Sequence, residues 1–268
     1  MQLRHAHSYK SAMVSKLFVL LLILFTASIS KSQQLPILNV GGADEWFPVS
    51  YINENTKKTE GIGYDLAQLV AKELKTSIEI SPNLPWKRLL LRLESGKLDM
   101  CIGIYWNKER SKIFHYTEPF LTNEPRVFVK KGREFKFEKI EDLKGLIGGA
   151  PLGASFGEEF DSFAEEFLTL QRVTGYIQMS QMLLLDRNDY YIADYIDGMS
   201  YLEQKKLKSR VVALSKPIAK IEVYFAISKK SPFAKVLPQI TNIIKKAKKD
   251  GTIDKMISKY VTLPVNTQ

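Results

Sequence analysis

The chain has one cysteine, Cys101, and three histidines in 268 residues. His5 and His7 stand at the very start, so only His115 lies in the body of the sequence. A zinc centre built from cysteine and histidine is therefore out of reach. A Cys–His nucleophilic pair would need Cys101 and His115 to meet. Cys101 sits inside the apolar run Met100-Cys-Ile-Gly-Ile104, where a thiol reads as inert core. A Ser-His-Asp triad would have to use His115, whose neighbours Phe114 and Tyr116 suggest a strand, and no Gly-x-Ser-x-Gly elbow is expected. The glycine-rich stretch Gly145-Leu-Ile-Gly-Gly-Ala-Pro-Leu-Gly-Ala-Ser-Phe-Gly157 lacks the Gly-Lys-Ser/Thr of a phosphate loop and the Gly-x-Gly-x-x-Gly of a dinucleotide site. No metal, cofactor or catalytic residue is expected, and the chain does not read as an enzyme.

Long apolar runs are also scarce. The one at 17–27 follows a basic start with Lys10 and Lys16 and precedes the small residues Ser28, Ser30 and Ser32. That order is the pattern of a cleavable secretory signal, too short to span a bilayer comfortably. Residues 1–32 are expected to be removed, with Met13 an equally good start. No cysteine stands at the cut, so the product is expected in the periplasm without a lipid anchor. A single cysteine leaves it without an internal disulfide. The formal charge of +10 overstates the basic character, because the leader holds Arg4, Lys10, Lys16 and Lys31 and no acid, leaving about +6. Much of the excess lies in Lys205-Lys-Leu-Lys208 and Lys245-Lys-Ala-Lys-Lys249, which read as solvated helix faces rather than a surface for nucleic acid.

Beyond the leader, extended runs alternate with helical patterns. Strands are predicted at 35–40, 76–80, 98–104, 126–130, 146–149, 190–193, 211–214 and 223–228. Helices are predicted at 64–75, with Leu66, Leu69, Val70 and Leu74 on one face, and at 86–95, with Leu89, Leu90 and Leu93 inward. Others follow at 157–168, 177–185, 195–204 and 232–249, with a short one to 260. Pro238 conflicts with the long helix and predicts a kink. The charged stretch 131–139 looks like a boundary. The rhythm predicts the α/β class, with parallel sheets in two units of about a hundred residues each. Ligands in such folds sit at strand carboxyl ends and domain interfaces.

One segment stands where a ligand would bind. Gly103-Ile-Tyr-Trp-Asn-Lys-Glu-Arg110 places an arginine just past a strand end, with Phe114, Tyr116 and Phe120 following. Its planar fork suits a small carboxylate, with a surface ion pair to Glu109 or Glu118 as the plainer role. Ser155-Phe-Gly-Glu158 has the form of a capping box opening a helix. That start could hold a small carboxylate or touch no ligand, and Glu158 and Glu159 disfavour a phosphate.

Four segments carry a resemblance: Gly61-Ile-Gly-Tyr-Asp-Leu66, Glu94-Ser-Gly-Lys-Leu-Asp99, Glu109-Arg110 with Tyr116-Thr-Glu-Pro-Phe120, and Lys248-Lys-Asp-Gly-Thr-Ile253. In this order and spacing, over 35–261, the chain resembles the family 3 (polar amino acid) extracellular solute-binding proteins. The resemblance implies two Rossmann-like α/β lobes joined by a two-segment hinge, the type II periplasmic binding protein fold. Lobe one would be 33–121 with 222–268 and lobe two 122–221, hinged near 120–124 and 219–223. It implies a monomer that captures an amino acid or similar small carboxylate and hands it to an ABC permease in the inner membrane. Arg110 takes the α-carboxylate with help from Ala154 and Ser155. Asp194 takes the α-ammonium, or merely caps the following helix. Trp46 and Trp86 flank the side chain near Gly103. Tyr105 replaces a frequent threonine and Ala154 a hydroxyl-bearing residue, which leaves the ligand's side chain open. Two other readings stay open on the same fold. One is a cyclohexadienyl or arogenate dehydratase using Glu45, Glu118 or Glu124; the other is a sensing module for a membrane partner.

Overall fold

A computed structural model describes residues 35–43, 45–53, 55–81 and 84–261. The proposed leader lies outside the described residues. No helix among them is long and apolar enough to cross a membrane.

The first lobe begins with β1 (Leu38–Gly41) and a small antiparallel sheet of β2 (Glu45–Trp46), β3 (Ser50–Ile52) and β4 (Thr59–Glu60). Helix α1 (Ile62–Glu73), β5 (Ile78–Ile80), α2 (Trp86–Ser95) and β6 (Met100–Tyr105) follow. The short α3 (Lys108–Ile113), β7 (Phe114–Tyr116) and β8 (Leu121–Asn123) complete its first passage. The chain then crosses into β9 (Pro125–Lys130) and runs through β10 (Ile147–Pro151), α4 (Glu158–Phe167), β11 (Thr169–Val173), α5 (Tyr176–Leu184), β12 (Tyr190–Asp194), α6 (Tyr195–Gln204) and β13 (Val211–Pro217). It returns as β14 (Ile221–Ser228), followed by a 3-10 turn Pro232–Val236, α7 (Leu237–Lys249) and α8 (Thr252–Tyr260).

The two sheets have the same plan. The first is ordered β5-β1-β6-β14-β7 and the second β11-β10-β12-β9-β13. In each, three parallel strands place the earliest in the middle, and an antiparallel strand from the other passage pairs with the third. β8 also pairs with β14, through Ile221 and Asn123. The chain therefore passes between the lobes twice, at 123–125 and 217–221, and the two passages lie side by side. This is the two-lobed architecture that the resemblance implies.

Local sequence explains most elements. On α1, Leu66 and Val70 are fully buried while Leu69 and Leu74 pack at the margin. Each fully buried aliphatic side chain contributes roughly 1.5–3 kcal/mol. On α2, Leu89 and Leu93 face Leu98, Cys101 and Ile104, and Gly96 ends the helix with φ of 79°. Asp99, the last residue of one motif, accepts from Asn39 N at 2.9 Å and Ser231 Oγ at 2.6 Å, which ties the first strand to the returning C-terminal segment.

Some local expectations are corrected. Pro238 does not kink a long helix: Ser231 caps a 3-10 turn, and α7 starts afresh at Leu237 with the proline in its first turn. There the missing N–H has no partner to lose. The charged stretch 131–139 is no lobe boundary but a connection within the second lobe, after β9. The capping box at Ser155 does not form. Gly157, with φ of 96°, starts α4 two residues later, and the helix has no side-chain cap.

Candidate functional site

Arg110 is placed by α3, whose cap Asn107 accepts from the Arg110 backbone N–H at 2.8 Å. This turns the side chain back beneath the end of β6. Nη1 donates to the Tyr105 carbonyl at 3.0 Å and Nη2 to the Gly153 carbonyl of the other lobe at 3.0 Å. The residue is 9% exposed, and no carboxylate among the described residues pairs with it. The surface ion pairs are made elsewhere: Glu109 meets Lys112 and Glu118 meets Lys245. Burial lowers the Arg110 pKa from its usual value, but guanidinium remains charged at any working pH. Trp86, opening α2, lies 5.5 Å from its guanidinium carbon and donates to the same Gly153 carbonyl at 3.3 Å.

Asp194 ends β12 and occupies the N-cap position of α6, yet its side chain makes no capping bond. It turns toward the first lobe instead. One carboxylate oxygen accepts from the Tyr105 hydroxyl and the other from Trp46 Nε1 at 2.5 Å. Asn123 Nδ2 donates to the Tyr105 oxygen at 3.0 Å. The Trp46 and Tyr105 rings meet edge to face at 5.1 Å. Burial pushes the Asp194 carboxyl up to about 6, against the downward pull of Tyr105 and Trp46.

These groups surround a cavity of about 370 Å³. Arg110, Asp194, Trp46, Trp86, Tyr105, Ala154 and Ser155 all line it; Gly103 does not. A Cβ on Gly103 would stand 2.5 Å from Val49 Cγ1 and 3.0 Å from Trp46 Cζ3. Its contribution is room for the Trp46 ring. Trp46 accompanies Asp194 and Trp86 accompanies Arg110, and both tryptophans line the cavity.

Ser155 reaches the wall, but its hydroxyl donates to Asp161. The other Asp161 oxygen accepts from Phe156 N at 2.9 Å. An internal carboxylate thus fills the place at this helix start where a small anion could be expected. The expectation that no Gly-x-Ser-x-Gly occurs is corrected: Gly153-Ala-Ser-Phe-Gly157 has that spacing, although its serine hydroxyl is engaged with Asp161. His115, the only histidine of the described residues, pairs with Ile227 in the first sheet and does not line the cavity.

The residue that sequence reasoning misses is Asp197, 5% exposed and on the cavity wall. Its carboxylate accepts from Phe47 N of the first lobe at 3.1 Å and from the Tyr176 hydroxyl at 2.7 Å. Burial holds its pKa well above the carboxylate range, and the charges of Asp194 and Glu45 add to this. The available signal is Asp194-Tyr-Ile-Asp197: two acids three apart at a helix start share a face.

Two similar α/β lobes closing on a cavity with a buried cation at its wall define a bilobal solute-binding protein. The model of the bacterial extracellular solute-binding proteins, family 3, matches residues 38–263, and the chain belongs to that family. The L-cystine-binding protein TcyJ of Escherichia coli (strain K12) is 24% identical over 233 residues, covering 87% of this chain and 85% of the relative. The probable amino-acid-binding protein YxeM of Bacillus subtilis (strain 168) is 22% identical over 249 residues, covering 92% of each. Among solved structures, an ancestral arginine-binding protein bound to arginine superposes with a TM-score of 0.73 at 26% identity, covering 85% of this chain and 99% of the other.

Proposed function

We propose that this protein captures an amino acid in the cleft between its lobes and delivers it to an ABC permease of the inner membrane. The observation that carries the reading is Arg110: a buried guanidinium on the cavity wall, with no carboxylate partner among the described residues. A buried charge without a counter-charge is costly, so the site favours an anionic group on its ligand. The α-carboxylate meets Arg110, and the α-ammonium meets Asp194, whose two oxygens can each accept a further hydrogen bond. The side chain lies among Trp46, Trp86 and Tyr105. Relatives named for binding cystine, arginine or amino acids support the same class.

In this reading the lobes are 33–121 with 222–268 and 122–221, turning on the paired passages, and the protein acts as a monomer after losing residues 1–32. Closure excludes water and strengthens both charged contacts. Calorimetry tests it: Arg110→Ala is expected to cost about 2–5 kcal/mol of amino acid binding. Unchanged affinity would overturn the assignment. Of the acids considered for a dehydratase, Glu118 and Glu124 are engaged in ion pairs with Lys245, Arg126 and Lys220, and only Glu45 lines the cavity. A product assay with prephenate and arogenate decides that alternative.

A further inference from the structure

The ionisable groups on the cavity wall are unbalanced. One cation, Arg110, stands with three acids, Glu45, Asp194 and Asp197. Only neutral groups answer the buried acids: Trp46 and Tyr105 on Asp194, Phe47 N and Tyr176 on Asp197. A zwitterion that satisfies Arg110 and Asp194 leaves Glu45, and Asp197 with its two neutral donors, facing no cation.

These two acids converge from different lobes. Tyr176, whose hydroxyl holds Asp197, opens α5 directly after Gly175. The Glu45 Oε2 atom lies 2.8 Å from where a Cβ on Gly175 would stand. Glu45 thus lies against the start of α5 and Asp197 against the ring tip of the residue that opens it, while Arg110 contacts a different set of groups: the Tyr105 and Gly153 carbonyls and the Trp86 ring. A carboxylate has about four acceptor sites, and Asp197 uses two. The neighbouring aromatic walls also tolerate a cation, through their negative ring faces. The volume of about 370 Å³ falls in the range of small-molecule sites, roughly 300–1,000 Å³.

We infer that the part of the cavity bounded by Asp197 and Glu45 receives a second positive charge, so that the preferred ligand is an amino acid with a cationic side chain. Asp197 is the main specificity-determining residue and Glu45 assists it from the opposite lobe. This rests on the amino acid reading and narrows it. A cationic side chain beside Asp197 favours the carboxylate form that burial disfavours and so gains a charge-assisted contact, whereas a neutral isostere offers neither acid a counter-charge.

Calorimetry on near-isosteric pairs tests the inference: L-lysine against L-norleucine, and L-arginine against L-citrulline. At least one cationic member is expected to bind roughly tenfold or more tightly than its neutral partner. Asp197→Asn is expected to lower affinity for the cation more than for its partner, bringing the ratio near one. Glu45→Gln, at an exposed position less exposed to folding failure, should reduce the ratio by about threefold. Neutral members binding as tightly as the cations to the native protein would overturn this inference and leave the amino acid reading standing. A ratio unmoved in both variants would overturn the roles of these two acids. Failure of every amino acid to bind, with cations and neutral analogues alike silent, would remove the amino acid reading itself.

Discussion

The Tyr105 hydroxyl, at the end of a strand in the first lobe, donates to the Asp194 carboxylate at the start of a helix in the second. The same oxygen accepts from Asn123, next to the first passage between the lobes. A side chain on the cavity wall is thereby linked to the hinge region. Tyr105→Phe removes a donor from an enclosed carboxylate and an acceptor from Asn123. It is expected to destabilise the protein by about 1–3 kcal/mol, read from urea unfolding midpoints. A midpoint unchanged from the native protein would show that this bond carries no net stability.

The proposed role of Asp194 predicts that binding depends on pH. Its carboxyl is raised to about 6 in the folded protein, from an ordinary value of 3.8. A raised acid favours its neutral form, so this group's contribution to stability is present below the unfolded value and is lost as pH rises through about 6. An ammonium ligand requires the opposite, charged form. Affinity should therefore rise between pH 5 and 7, by at most about tenfold per pH unit below 6. Titration calorimetry at pH 5, 6 and 7 would reveal it, and a flat profile would count against Asp194 as the ammonium partner.

Gly103 is predicted to act through Trp46 rather than through the ligand. Gly103→Ala places a methyl against Val49 and the Trp46 ring at 2.5 and 3.0 Å. Overpacking of this kind costs about 1–3 kcal/mol. The expected signs are a lower unfolding midpoint and a change in tryptophan emission before any ligand is added. Normal emission with normal stability would mean that the wall relaxes freely.

Cys101 supplies a test of the core. It is fully buried in β6, and burial pushes its thiol up to about 12. A thiol reagent at pH 8 should label it slowly in the native protein and completely in urea, since the thiolate is the reactive form. Rapid native labelling would show that β6 opens readily.

Much of the fold is legible in the chain because helical and extended periodicity are local. The faces of α1 and α2 and the span of α6 follow from spacing alone. The small sheet does not: Glu45–Trp46 and Thr59–Glu60 are two residues each, too short for a period to show. β11, Thr169–Val173, is likewise missed between two clearer helices. Of the four family segments, only Glu109-Arg110 brings a residue to the cavity wall. Asp99 ties strands together, and Asp250 accepts from Thr252 N at 3.0 Å next to Gly251, which begins α8. Those segments identify the family by its scaffold, which is why the ligand cannot be read from them.

The sequence by itself determined the α/β rhythm, the order of the longer helices and most core strands, and the location of Arg110 beyond a strand end. These depend on neighbours a few positions apart. The tertiary structure alone decided that Asp194 bonds to the first lobe rather than capping its own helix, that Ser155 answers Asp161, and that Asp197 lines the cavity. Trp46 and Asp194 are 148 positions apart, and no local pattern records a hydrogen bond over that distance. It arises because two passages of chain close one lobe upon the other, and burial between them then fixes which charges must find a partner.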